Sequence, residues 1–383
     1  MIKVKDKTLL LLSSIGTAAF LFMSMVVHKP NRISQGVAYS SFEFLGMTGF
    51  LILLLWLFLL MLAYNEKKHQ NHWIFTGTTL LAISLVWGLS SRTAGFTLDM
   101  PSARISLSSG FYVQVFCLYM LFSTYTQRIK TVRLIKWIGA LSLIATLVYL
   151  MISGALDDLS LIKEYHIKKA QFYTNLRIHA MLTFGSVIAG AIIAVPLGFL
   201  AYSKKKLEGR IMVPLSVIET IPSLSLFGIL LVPLSGLGKF PFFKAIGVSG
   251  IGWAPAFIAL TLYTLLPIGR NTLTGFYSVD NNVIEAAKGM GMNKIQVLSR
   301  IELPLAFPVI FTGIRIAFIQ TIGGAVLAGL VGGGGMGNFV FLGLGEASPD
   351  LILLGVLPIV FFTVMIDYLL KAFETMIRGI IYD

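Results

Sequence analysis

The sequence predicts an all-α polytopic membrane protein with about ten transmembrane helices. Of its 383 residues, 56% are hydrophobic, and the mean hydropathy is +0.84. Charged residues make up 12% of the chain, against a usual share of roughly 25%. Apolar runs of about 20 residues, the length at which a helix crosses the hydrocarbon core of a bilayer, recur along the chain. These observations exclude a soluble globular protein.

The apolar segments fall into two groups of five, separated by a polar stretch. The first unit, residues 1–152, contains five predicted spans and no cluster of residues that indicates a metal or a catalytic pair. Residues 153–177 are predicted to be a linker on the outer face of the membrane, residues 178–374 a second five-span unit, and residues 375–383 a cytoplasmic tail. The predicted spans are 8–27, 44–63, 74–90, 111–126, 137–152, 178–202, 211–233, 251–269, 307–330 and 351–372.

The distribution of basic residues predicts the topology. A net charge of +13 is compatible with nucleic-acid binding, but 19 of the 30 Lys and Arg residues lie in alternate loops on one side of the predicted spans. Ten lie on the other side, and Arg315 lies inside a span. The richer set includes Lys3, Lys67, Lys68 and Lys130. The positive-inside rule therefore places both termini and the loop at 278–304 in the cytoplasm.

Isolated reactive residues carry little functional signal. Cys117 lies in a predicted span and cannot form an intramolecular disulfide, so we expect a small buried hydrophobe there. The first apolar run is too long for a signal-peptide core, and no small-residue cleavage site follows, so we expect an uncleaved first span. His166 and His179 lack the spacing of a metal site, and no metal is expected.

The most informative segment is the amphipathic stretch from Glu285 to Pro304, which lies between two long apolar segments. Asp280 or Ser278 can cap a short helix that runs into this stretch. Gly291 can adopt the left-handed conformation that ends this helix. The apolar side of the helix consists of Ile284, Ala287 and Met290.

A second short helix follows. Asn293 and Gln296 have the spacing of a capping box, and the helix that they begin carries Ile295 and Leu298. Pro304 suits the first turn of the next membrane helix. Two short helices at an angle form a compact knob, which is a shape that inserts into a groove of a soluble partner.

Seven residues of this segment match the pattern EAA-x3-G-x9-I-x-L-P: Glu285, Ala286, Ala287, Gly291, Ile301, Leu303 and Pro304. The pattern resembles the cytoplasmic coupling loop of ABC importer permeases. The resemblance implies that residues 278–304 form the coupling loop, which a separate ATPase grips and moves. It also implies that residues 178–374 form the permease core of a type I ABC importer.

Two further segments of the second unit resemble parts of osmoprotectant permeases. Residues 219–226 place hydroxyl side chains beside a proline kink and resemble a TIPSLA-like segment. The glycine run at 332–337 resembles a GAGGLG-like stretch; it lacks the GK[ST] of a phosphate-binding loop, and we expect either a flexible outer loop or a closely packed turn. The candidates for the translocation path are Glu219, Thr220, Pro222, Ser223, Arg315, Gln320, Thr321, Gly332, Gly333, Gly334, Gly335 and Gly337.

Three ionisable residues lie inside predicted spans at similar depth: Glu219, Arg315 and Asp367. Charges within a membrane are costly, usually face the interior of a helix bundle, and pair. One hypothesis is that Arg315 pairs with Glu219 or Asp367 and holds the inner half of the bundle together. The alternative is that each side chain snorkels to the cytoplasmic interface.

With its five-span N-terminal extension, the chain most resembles the long YehY-type permeases of the osmoprotectant branch. The resemblance implies import of a glycine betaine or choline-type solute. It implies three partners: a cytoplasmic ATPase dimer, a second permease subunit (a shorter homologue or a second copy) and an extracytoplasmic binding protein. No Walker motif occurs, so ATP is expected on the ATPase, and this chain is expected to bind no cofactor, catalyse no reaction and contact lipid rather than nucleic acid.

The solute is less constrained than the transporter class. A quaternary ammonium suits cation–π contacts, for which the candidates are Trp253, Tyr263, Phe339 and Phe341, although aromatic residues at span ends also anchor helices at the interface. One alternative is an ABC permease for methionine or another amino acid. Another is a proton-coupled secondary transporter that uses the three intramembrane charges. The five scattered His residues disfavour a membrane enzyme.

Overall fold

The computed structural model describes residues 5–32, 34–64, 70–97, 102–129 and 133–382. Lys3, Lys67, Lys68 and Lys130, four of the basic residues used to predict the topology, lie outside the described residues. The chain divides into two compact units, Met1–Ile167 and Lys168–Asp383.

The N-terminal unit is a helical bundle with a small sheet. Its core surrounds Trp56, whose indole N–H donates to the Gln114 side chain at 3.2 Å, and it includes the buried Cys117. Its elements are α1 (Lys7–Phe22), β1 (Ser24–Lys29), β2 (Val37–Ser40), α2 (Ser41–Leu45), α3 (Met47–Leu62), α4 (Gln70–Thr97), β3 (Arg104–Leu107), α5 (Ser109–Arg128), α6 (Arg133–Ile152) and α7 (Ser160–Ile167).

The three strands are a departure from the all-α prediction. They form an antiparallel sheet in the order β2-β1-β3, in which Val27 is paired with Ala38 on one side and Ser106 on the other. The first span was predicted to continue to residue 27, but α1 ends at Phe22 and the apolar residues after it pair as strand β1. A short apolar run does not by itself distinguish a helix end from a strand.

A buried ion cluster fixes α7 to the sheet of its own unit. Glu164 is 1% exposed. Its carboxylate accepts hydrogen bonds from Arg32 Nε at 2.8 Å and from Arg104 Nη1 at 2.7 Å. The segment predicted as a linker, 153–177, is thus divided: α7 belongs to the first unit, and the residues from Lys169 onward begin the first long helix of the second unit.

The second unit is entirely helical over its described residues. Its long helices α8, α12 and α15 pack closely: a Cβ atom on Gly190 would lie 1.7 Å from Thr264 Oγ1, and one on Gly313 would lie 2.8 Å from the Pro267 carbonyl oxygen. The elements are α8 (Lys169–Ser203), α9 (Lys205–Thr220), α10 (Ser223–Leu237), α11 (Pro241–Ala245), α12 (Trp253–Tyr277), α13 (Asn281–Gly289), α14 (Lys294–Val297), a π-helical turn (Leu298–Glu302), α15 (Leu303–Gly324), a 3-10 helix (Ala325–Val331), α16 (Gly337–Gly345) and α17 (Pro349–Tyr382).

The described helices confirm a multi-pass membrane protein but not the count of ten spans. Five are long and apolar enough to cross a bilayer, and a sixth span results if the bent pair α9–α10 is counted as one. α1 and α3 are apolar but contain only 16 residues each. The span predicted at 211–233 is bent at its predicted break, where α9 and α10 meet at an angle of 104°.

Candidate functional site

Residues 278–304, the segment predicted to be the coupling loop, have the local structure that their sequence predicts. The Asp280 side chain caps α13 by accepting from the Asn282 N–H at 2.8 Å, and Gly291 has a φ of +86°. Asn293 and Gln296 form a reciprocal capping box with two bonds of 2.9 Å. Pro304 lies in the first turn of α15, which follows the π-helical turn Leu298–Glu302 without a gap.

The inner side of the loop is packed onto the helix bundle. Ile284, Ala287 and Val297 are buried in one cluster with Phe276 and Ile310. Each of these side chains comes from α12, α15 or the loop between them, so the knob is packed onto those two helices. Among the residues of the coupling motif, Ala287 is buried, Ile301 and Pro304 are half-buried, and Glu285, Ala286, Gly291 and Leu303 are exposed.

Two tyrosines join the base of the loop to α8 and α9. The Tyr202 hydroxyl lies 3.0 Å from Glu302 Oε1, and the Tyr277 hydroxyl donates to Glu208 Oε2 at 2.8 Å. The second hydrogen bond raises the pKa of Tyr277, because the carboxylate stabilises the protonated hydroxyl. Since the loop begins just after Tyr277, these contacts fix both of its ends.

The outer side of the loop presents apolar side chains. Met290 is 73% exposed and Ile295 is 76% exposed, although both were grouped with the apolar sides of the two helices. They lie on either side of Gly291, one at the end of α13 and one in α14. Both side chains are therefore accessible to a partner protein at the tip of the knob.

The predicted break at 219–226 is present and has a simple cause. Ile221 precedes a proline, which disfavours helical backbone, and it is extended with φ −69° and ψ 125°. Pro222 has no N–H to continue the hydrogen-bond ladder. The carbonyl of Ile221 instead accepts a hydrogen bond of 2.7 Å from the Tyr263 hydroxyl on α12.

A cavity of about 210 Å³ lies at this break. Four of the predicted path residues, Glu219, Ser223, Gln320 and Thr321, line it together. The other lining residues are Leu260, Tyr263, Gly324 and Leu327. Thr220 and Pro222 are not among them, and the Thr220 hydroxyl donates to the Val217 carbonyl at 2.7 Å.

Arg315 pairs with Asp367 rather than with Glu219. Its Nε and Nη2 atoms both lie 2.7 Å from Asp367 Oδ1. A second carboxylate, Glu374, lies 3.5 Å from Nη1 and also bonds the Thr312 hydroxyl. Sequence reasoning did not single out Glu374, although its position seven residues after Asp367 places the two on one helix face.

The glycine run is a closely packed turn. Gly332, Gly334 and Gly335 have φ values of +72°, +78° and +86°, which favour glycine. A Cβ atom on Gly337 would lie 1.8 Å from the Val326 carbonyl oxygen, and one on Gly333 would lie 3.0 Å from that of Gly252. Of the two readings of this segment, the structure therefore shows the packed one.

Residues 175–379 match the family described as "Binding-protein-dependent transport system inner membrane component". The chain belongs to this family. Residues 5–162 match a second family, described as "ABC transporter permease YehY, N-terminal domain". The two matches fall one in each of the compact units.

Several curated proteins are similar to about half of this permease. It is 39% identical over 196 residues to "Choline transport system permease protein OpuBB" of Bacillus subtilis, covering 51% of this chain and 83% of the relative. It is 37% identical to "Glycine betaine/carnitine/choline transport system permease protein OpuCB" of the same organism, with the same coverage. It is 35% identical over 215 residues to "Osmoprotectant import permease protein OsmW" of Salmonella typhimurium, covering 56% of this chain and 95% of the relative.

Among solved structures, the permease is similar to a chain of the inward-facing MetNI methionine ABC transporter, with 22% identity and a TM-score of 0.47. The match covers 55% of this permease and 97% of that chain. Family membership makes the protein a multi-pass membrane permease of an ABC importer, a transport subunit rather than an enzyme, and places ATP hydrolysis on a separate subunit.

Proposed function

We propose that this permease forms the translocation path for a small osmoprotectant, such as glycine betaine, and couples its movement to ATP hydrolysis on a cytoplasmic ATPase dimer. The observation that carries the proposal is the coupling loop, a knob with two exposed apolar side chains. The loop joins α12 and α15, and both of these helices also line the cavity. The names of similar proteins, which include choline, glycine betaine and carnitine, support this solute class.

The helices provide a mechanical connection from loop to cavity. α15 begins at Leu303 in the loop and carries Gln320 at the cavity, 17 residues further on, or roughly 25 Å along a helix. α12 carries Tyr263 at the cavity and ends at Tyr277 beside the loop. Because both helices are continuous between these points, displacement of the knob would be transmitted to the cavity walls.

The proposed partners follow from this arrangement. The ATPase binds Met290 and Ile295 in a groove, the helix-in-groove mode of recognition. An extracytoplasmic binding protein delivers the solute, and a second permease subunit, either another copy or a shorter homologue, completes the path. In this proposal the termini and the coupling loop lie in the cytoplasm, the chain itself binds no cofactor, and ATP is bound by its partner.

The proposal is tested by uptake of labelled glycine betaine into proteoliposomes that contain the permease, its ATPase and its binding protein. We expect uptake that requires ATP, the ATPase and the binding protein, each omitted in turn. ATP-driven uptake of another solute but not of glycine betaine or choline would exclude the proposed solute class. Uptake that is driven by a proton gradient and is independent of ATP would exclude the coupling mechanism.

A further inference from the structure

The cavity at the helix break has one charge, one aromatic ring and three other polar side chains. We propose that it is a binding site for the quaternary ammonium group of the solute, with the Glu219 carboxylate as counter-charge and the Tyr263 ring as one wall. This inference rests on the proposed function and assigns a solute-recognising site to the permease itself.

The charges around the cavity favour a cation. Glu219 is the sole Asp, Glu, Lys, Arg or His among the lining residues, all of which lie in the described part of the chain. Arg315, the cation predicted as a partner for Glu219, is instead held between Asp367 and Glu374. Glu219 is an exposed residue, so its carboxylate is accessible to a cation. Opposite charges in contact attract each other even in water, and more strongly where the effective dielectric constant is lower.

The aromatic wall is held in place by its own hydroxyl. The Tyr263 hydroxyl donates to the Ile221 carbonyl at 2.7 Å, which fixes the ring against the break at a point two residues from both Glu219 and Ser223. A quaternary ammonium has no N–H to donate, so its recognition depends on a negative charge and on the faces of aromatic rings. The cavity supplies both in one place.

The remaining lining suits a small solute that carries a second polar group. Ser223, Gln320 and Thr321 offer two hydroxyls and one amide, while Leu260 and Leu327 supply apolar contact for methyl groups. The volume of about 210 Å³ is below the roughly 300–1,000 Å³ typical of sites for drug-sized ligands. A choline-sized molecule therefore fits the chemistry and the scale of the cavity.

The local charge can be measured with thiol reagents, independently of transport. A Cys117→Ala permease with Ser223→Cys is assembled with its ATPase and binding protein in detergent. It is then reacted with a methanethiosulfonate that carries trimethylammonium and, separately, with one that carries a sulfonate. Relative to their rates with a free thiol, we expect the cationic reagent to be favoured about tenfold. Glu219→Gln should abolish this preference, whereas Glu219→Asp and the exposed control Glu346→Gln should retain it.

Choline should slow modification of this cysteine in the Glu219 protein and not in the Glu219→Gln protein. A cation preference that is unchanged by Glu219→Gln, a cysteine that neither reagent reaches, or a lack of protection by choline would each overturn the site.

Transport separates this inference from the proposed function. If the proposed function and the proposed site both hold, Glu219→Gln should raise the KM for choline about tenfold. The KM for zwitterionic glycine betaine should rise less, and loaded binding protein should still stimulate the ATPase. A wild-type complex without ATP-driven uptake of either solute would overturn the proposed function. Normal wild-type uptake with equal kinetics in Glu219→Gln and Glu346→Gln would overturn the site alone.

Discussion

The Tyr263 hydroxyl lies 2.7 Å from the carbonyl oxygen of Ile221, and this hydrogen bond joins α12 to the break between α9 and α10. The proline after Ile221 ends α9, and Tyr263 supplies the carbonyl with a donor from another helix. The same bond positions the aromatic wall of the cavity. A structural defect in one helix is thus stabilised by the neighbour that leads to the coupling loop.

Replacing Tyr263 by Phe should leave the Ile221 carbonyl without its donor while keeping the ring. We expect the free energy of unfolding to fall by about 0.5–1.5 kcal/mol, the net contribution of a typical hydrogen bond, since this bond is only partly buried. Thermal unfolding in detergent measures this effect. Tyr368→Phe is the matched control, since Tyr368 is exposed. Equal melting temperatures for the two variants would show that the hydrogen bond contributes nothing to stability.

The pair formed by Arg315 and Asp367 can be tested by exchanging its charges. Arg315→Asp and Asp367→Arg should each reduce transport and lower the free energy of unfolding by about 1–2 kcal/mol. This loss is smaller than that for breaking a fully buried ion pair, because both side chains are partly exposed. The double variant should recover part of both losses. If the losses of stability and transport in the double variant equal the sums of those in the single variants, the pairing of Arg315 with Asp367 is contradicted.

Gly289 and Gly291 form an internal comparison within the loop. A Cβ atom on either would meet no atom within 4 Å, but Gly291 alone has a positive φ. Gly291→Ala should therefore cost about 1–2 kcal/mol in backbone strain, whereas Gly289→Ala should be neutral or slightly stabilising, because alanine favours helix. Unfolding in denaturant compares the two. Equal destabilisation would show that the left-handed backbone is not what requires glycine.

Glu164 tests the buried ion cluster of the N-terminal unit. Glu164→Gln should destabilise this unit by about 3–5 kcal/mol, because Arg104 would remain buried without a counter-charge. Protection of α7 from proteolysis is a local readout. The control is Asp157→Asn, which changes an exposed carboxylate three residues before α7. Protection that is unaltered by Glu164→Gln would mean that α7 is held by its apolar contacts alone.

The coupling loop could be predicted in detail because its structure is local. Asp280, Gly291, Asn293 and Gln296 act on backbone within three residues of themselves, so their spacing contains the information. The break at Pro222 was predictable for the same reason.

The other features depend on contacts between residues distant in sequence. The pairing of Val27 with Ser106 joins residues 79 positions apart in sequence, and Val26 and Val27 were assigned to the end of the first predicted span. Sequence placed Arg315 and Asp367 at one depth but could not choose between Glu219 and Asp367 as partners. The cavity could not be predicted either, because its lining residues come mostly from four helices that are separate in sequence: α9, α10, α12 and α15.

The most direct test of the central claim is the dependence of ATP-driven uptake on the exposed apolar tip of the loop. Met290→Asp combined with Ile295→Asp should reduce both binding of the ATPase and uptake by at least about tenfold, the effect of losing interface anchors. The paired control, Met290→Leu with Ile295→Leu, should retain both activities. Full ATP-driven uptake in the aspartate variant, with the ATPase still bound, would contradict the assignment of residues 278–304 as the coupling loop.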